Sequence, residues 1–164
     1  MAVCGRSHRE VKWVECDVSC GCNYLCYMNN IYVKHQFIAL FAIYILAVLW
    51  ITLIDREFGN RRVNLVPFWE FANVIKGLER EFYIRQILGN LVVLMPLGFM
   101  FPIIKKVGLK QVLLISICFS VGIELTQFIT GRGLMEFDDV FNNTVGTVIG
   151  FKIYNILREK YEEV

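Results

Sequence analysis

Four predominantly apolar stretches organise this chain: residues 37–54, 86–104, 112–130 and 140–157, each 18 or 19 residues long. A helix rises about 1.5 Å per residue, so roughly 17 to 25 residues cross a hydrocarbon core of about 30 Å. The pattern predicts four transmembrane helices. The first, FIALFAIYILAVLWITLI, has no charge, glycine or proline. It exceeds the apolar run of a secretory leader and no A-x-A-like site follows it, so it reads as a retained span. The other three carry polar residues at particular ends. Asn90 lies about one turn into the second; Ser120, Glu124 and Gln127 come late in the third; Asp138, Asp139, Asn142 and Asn143 open the fourth. Consecutive spans alternate direction, so these residues converge on one membrane face. Glu124 precedes Thr130 by six positions, which places it about 9 Å inside that interface.

Three further patterns shape the expected bundle. Residues 67–83 place Phe68, Phe71, Ile75, Leu78 and Phe82 at helical spacing, with Glu70, Lys76, Glu79 and Arg80 largely elsewhere around the wheel. This predicts an amphipathic helix, either in the headgroup region with Trp69 in the aromatic belt or packed over the bundle. Gly146 and Gly150 form a G-x-x-x-G step, expected to bring helix backbones together. Pro96 and Pro102 are expected to kink the second span and free carbonyls for neighbouring groups.

Composition agrees with a membrane solvent: 56% of the 164 residues are hydrophobic, 20% are charged and the mean hydropathy is +0.51. The chain is expected to be a multi-pass cell-membrane protein. Lys105, Lys106 and Lys110 form a short, wholly basic connection, which argues for a cytoplasmic loop. With four spans both termini join it, and the polar residues face outward. Residues 55–85 oppose this with six basic residues, mixed with five acids.

Residues 1–27 form a distinct polar tail holding five of the six cysteines: Cys4, Cys16, Cys20, Cys22 and Cys26. Their spacing lacks the paired C-x2-C of zinc sites, and a disulfide knot needs an oxidising compartment. A start at Met28, directly before the first span, explains the tail most simply; residues 28–164 then form the membrane domain. Cys118 reads as a small core residue.

In apolar surroundings each ionisable group marks a candidate site. The candidates for binding a ligand are Arg85, Asn90, Glu124, Gln127, Arg132, Asp138, Asp139, Asn142 and Asn143. If there is catalysis, Glu124, Arg132 and Asp139 are the residues to carry it. A structural alternative has these three as an ion network fixing helix register. No cofactor is expected, and no metal site is assigned, although Glu124, Asp138 and Asp139 offer oxygen ligands for Mg²⁺. The chain has no G-x-S-x-G, H-E-x-x-H or P-loop, which favours binding over catalysis.

Together these residues resemble the VanZ-like family. Asn90, Pro96 and Gly98 fall at N-x5-P-x-G; Ser120, Glu124 and Gln127 at S-x3-E-x2-Q; Arg132, Asp138, Asp139, Asn143 and Gly146 follow in order; and R-x-x-N-L-x-P-F-x-E-F spans Arg61 to Phe71. The resemblance covers about residues 30–157 and implies an all-α membrane fold. The family is named for a protein that raises resistance to the glycopeptide teicoplanin, a lipid-tailed antibiotic. The resemblance names the architecture better than the job; the polar residues themselves give the expectation of a cell-envelope protein that binds a lipid headgroup or amphiphile at an outward pocket, and the family adds a contribution to antibiotic resistance. Expected partners are membrane lipids and a lipid-linked cell-wall precursor or lipoglycopeptide, with no nucleic acid. The alternatives are a membrane enzyme acting on a lipid-linked substrate with Glu124 as base, and a small lipid carrier, which as four spans would need a homo-oligomer.

Overall fold

The computed structural model describes residues 31–54, 59 and 62–162. The five tail cysteines, Met28 and Arg61 lie outside them. Helix α1, Ile31–Leu49, runs into a π-helical turn, Trp50–Ile54. Strand β1, Arg62–Asn64, precedes α2, Trp69–Lys76. Helices α3, Arg80–Val93, and α4, Met95–Ile104, follow. Then come α5, Leu109–Thr130, strand β2, Leu134–Glu136, and α6, Phe137–Glu162.

Among the described residues three helical segments are long and apolar enough to cross a membrane: Lys34–Ile54, Arg80–Ile104 and Leu109–Thr130. The fourth expected span falls in α6, which at 26 residues is long enough but opens with acids and amides. Those polar groups face inward, because α6 is the helix against which α3, α4 and α5 all pack. The polar start of α6 is shielded by those neighbours, whereas Ile153, Ile156 and Leu157 further along the helix are exposed.

The chain is polar inside and apolar outside. Among the described residues twelve polar or charged side chains are buried, against seven hydrophobic ones. Leu46, Trp50, Leu114, Ile129 and Ile156 are each more than half exposed. In water such a surface would be an aggregation hazard; against lipid it is the expected exterior. Cys118 belongs to this exterior and is not the core residue its isolation suggested.

The amphipathic segment is broken. Gly77 adopts φ 75°, a left-handed conformation open to glycine without a Cβ penalty, and receives the end of α2. Residues 80–83 instead begin α3. On α2 the apolar Phe68 and Ile75 lie exposed, whereas Glu70 and Asn73 are buried. Of the charged residues expected away from the apolar face, Glu70 points into the bundle, whereas Lys76, Glu79 and Arg80 are exposed.

The second span also breaks. Pro96 sits in the first turn of α4, where its missing N–H costs least, and the chain turns at Leu94. Tyr44 donates to the Val93 carbonyl at 2.7 Å, tying α1 to this break. Pro102 lies within α4 without ending it. The all-α expectation needs one amendment: β1 and β2 form a short parallel pair, Arg62 opposite Leu134 and Asn64 opposite Glu136.

Helix α6 meets α3 and α4 at backbone distance. A Cβ on Gly146 would lie 1.9 Å from the Leu91 carbonyl oxygen, and one on Gly150 2.0 Å from that of Met95. From the other side, a Cβ on Gly98 would meet the Thr147 carbonyl oxygen at 1.9 Å. Replacing Gly146 or Gly98 by alanine should lower stability by roughly 1–3 kcal/mol through overpacking. Gly122→Ala, whose Cβ meets nothing within 4 Å, should be neutral or stabilising, because alanine is the better helix former. Thermal unfolding in detergent micelles checks this, and equal losses at all three positions would contradict it.

Candidate functional site

The polar residues gather at one end of the bundle, around the start of α6. Asp138 comes first in the assembly. Its Oδ1 accepts the Phe68 N–H at 2.6 Å and its Oδ2 the Glu70 N–H at 2.8 Å. These are N–H groups at the start of α2, which a carboxylate satisfies well. Phe68 itself is left-handed at φ 59°, a conformation that surrounding contacts must hold. Its ring stacks edge-on against Phe141 at 5.2 Å and Phe137 at 6.5 Å, both on α6.

Glu70 is thereby carried into the interior with no exposed surface. Its Oε2 accepts from Asn142 Nδ2 at 3.0 Å, and its Oε1 is buried without a hydrogen-bond partner. Glu136 arrives from β2. Its Oε2 accepts from Gln86 Nε2 at 2.7 Å, and its N–H donates to Glu124 Oε2 at 3.0 Å. Asp139 accepts a hydrogen bond from Asn90. Glu70, Glu124, Glu136, Asp138 and Asp139 are all buried. Carboxylate oxygens of Glu70, Glu136 and Asp139 lie within 4.8 Å of one another.

Two glycines deliver β2 to this place. Gly131, at φ 69°, closes α5, with its own N–H and that of Arg132 returning to Phe128 and Gln127 carbonyls. Gly133, at φ 145°, turns the chain into Leu134.

Other expected site residues have different partners. Gln127 donates to the Thr52 carbonyl at 2.8 Å, and Arg132 to the Leu53 and Ile54 carbonyls at 3.2 and 3.0 Å. A π-helical end exposes carbonyls, and a cation there complements the negative end of the helix dipole. Asn143 donates to Ser120 at 2.8 Å, and Ser116 meets Thr147 at 2.7 Å, joining α5 to α6. Arg85 is exposed on α3.

Arg85 and Gln86 line a cleft of about 630 Å³ together with Trp69, Phe82, Tyr83, Leu134 and Glu136. The cleft and the buried acids share Glu136. Sequence reasoning missed Glu70, Gln86 and Glu136. Glu70 stood in the P-F-x-E-F run but was read as a solvated helix face, and Glu136 precedes Asp138 in a segment read as a connection. The Mg²⁺ set suggested by the sequence is Glu124 with Asp138 and Asp139; the carboxylates that converge are Glu70, Glu136 and Asp139, which share only Asp139 with it.

Burial pushes the Glu70 carboxyl up to about 8, and the negative charges of Asp139, Glu136 and Asp138 act in the same direction; only the Asn142 bond opposes them. Ionised carboxylates at such separations repel by on the order of 3 kcal/mol at an effective dielectric near 20.

A helical bundle with an apolar exterior and acids gathered at one end defines a membrane protein with a buried carboxylate site. The chain belongs to the VanZ/LLP1 family, whose model matches residues 41–158. It is 25% identical over 126 residues to "Protein VanZ" of Enterococcus faecium, an alignment covering 71% of this chain and 72% of that protein. No solved structure matches the chain.

The raised Glu70 group fixes the sign of a pH effect. Between the ordinary value of 4.5 and about 8 the folded state holds a proton that the unfolded state has lost, so stability falls as pH rises through that window and levels off above it. In metal-free buffer the melting temperature should therefore decline from about pH 5 to pH 8, and Glu70→Gln should flatten the decline. Identical slopes in both proteins would contradict the assignment.

Proposed function

We propose that this protein binds an anionic amphiphile at the membrane surface, with the head group in the Arg85 cleft. The observation that carries this reading is the cleft's composition. An exposed guanidinium suits phosphate or carboxylate bidentately. Trp69, Phe82 and Tyr83 offer aromatic surface to a chain or ring, and Gln86 and Glu136 offer polar contacts at the wall shared with the buried acids.

In this reading α6 is a fourth crossing, its inward polar face explaining its modest hydropathy, and both termini are cytoplasmic. Helix α2 lies in the interface: its exposed Phe68, Ile75 and Leu78 support contact with lipid, while Glu70 and Asn73 face the bundle. The cleft then opens at the outer leaflet, where a lipid-linked precursor or a lipoglycopeptide would meet it. The teicoplanin connection enters here as an extension of the family relation.

A second reading, a membrane enzyme acting on a lipid-linked substrate, is favoured by the acids beside the cleft. Glu136 is the carboxylate placed to meet a ligand, because it lines the cleft, whereas Glu124, the base expected from the sequence, is not among the lining residues.

Bilayer discs containing brominated lipid test the binding reading. Brominated phosphatidylglycerol should quench tryptophan fluorescence more than brominated phosphatidylcholine, and Arg85→Ala should reduce that preference at least threefold without changing the helical circular dichroism. A preference unaffected by Arg85→Ala would overturn the placement. In cells expressing the chain, teicoplanin sensitivity should change with the same substitution at equal membrane abundance, and an unchanged sensitivity would remove the resistance extension.

A further inference from the structure

We propose that Glu70, Glu136 and Asp139 form a binding site for one hard divalent cation: Mg²⁺, Mn²⁺ or Ca²⁺. The three side chains come from α2, β2 and α6, and each contributes an oxygen within 4.8 Å of the other two. Oxygens bound to one cation at about 2.1 to 2.4 Å lie at most about 4.2 to 4.8 Å apart, so the trio is within reach of a common centre. The donor set is all carboxylate, which suits hard cations and not zinc or copper.

The second observation is the Glu70 side chain. It has no exposed surface, its Oε2 is held by Asn142, and its Oε1 is buried with no hydrogen-bond partner. A buried acceptor without a partner calls for an explanation, such as an unseen water or ion; the amide oxygens of Gln127 and Asn143 also lack one, but Glu70 alone of the three is a carboxylate among carboxylates. Each carboxylate also has one oxygen oriented by a neutral amide: Asn142 on Glu70, Gln86 on Glu136, Asn90 on Asp139. Such amides orient ligands without cancelling their charge, as outer-shell groups do at metal sites. Glu136 borders the cleft, which gives an ion a path inward.

Asp138 serves this site as a positioning residue, holding the backbone that carries Glu70. The site adjoins the cleft through Glu136 but does not rest on the amphiphile reading, and its test contains no anionic lipid.

The full chain, purified in detergent and stripped with chelator, is titrated with Mn²⁺ while free Mn²⁺ is followed by electron paramagnetic resonance. One Mn²⁺ per chain should bind, displaced by excess Mg²⁺ or Ca²⁺. Affinity should fall at least tenfold in Glu70→Gln and in Glu136→Gln and stay unchanged in the exposed control Glu159→Gln, with folding checked by circular dichroism and elution volume. Glu70 lies in packed interior, so Glu136→Gln, at the cleft wall, is the variant that decides if Glu70→Gln fails to fold. Absence of saturable binding to the wild type would overturn the proposal, as would undiminished binding in a folded variant of either residue.

Discussion

The Asp138 carboxylate is the constraint on which the polar end of this molecule depends. One side chain at the start of α6 holds two backbone N–H groups on α2, about seventy residues earlier in the chain. Hydrogen bonds to a charged acceptor contribute on the order of 1.5–3 kcal/mol each, enough to keep Phe68 left-handed and α2 laid against the bundle. The place of Glu70 in the cluster follows from that docking. Glu70 enters the interior because its own N–H is held by Asp138. Asn142, one turn further along α6, then meets its carboxylate.

The same economy of partners runs through the rest of the bundle. Helix ends and breaks expose carbonyls that lipid cannot satisfy, and polar side chains from other helices meet them: Tyr44 at Val93, Thr147 at Leu94, Gln127 and Arg132 at the end of α1. These residues look like site residues in a sequence because they are polar in an apolar setting. Backbone carbonyls are among their partners, so each of them also braces the fold. The carboxylates around Glu136 differ from them, being acidic, mutually close and bordered by a cleft.

Much of this was legible in the chain. Apolar length predicted four spans, of which three stand as helices long and apolar enough to cross a membrane, and helix direction brought Asn90, Glu124 and the start of α6 to one end. The R-x-x-N-L-x-P-F-x-E-F run and the later acids carried the family relation. Periodicity placed the apolar side of α2 but not its acid: Phe68 and Ile75 face outward, as a helix in the headgroup region would hold them, while Glu70, read as part of the charged face, points into the bundle. The short pairing of β1 with β2 depends on contacts between residues seventy positions apart, which no local pattern announces. Gly77 also broke a helix that the apolar spacing alone would have continued to residue 83.

The central claim is that the Asp138 carboxylate docks α2 and so brings Glu70 into the buried acidic cluster. Amide hydrogen exchange in micelles tests it at the bonds themselves, comparing the wild type with Asp138→Ala. The account predicts that exchange at Phe68 and Glu70 rises at least tenfold in the variant while the interior of α5 and the middle of α6 stay protected. Unchanged protection at Phe68 and Glu70 would contradict it.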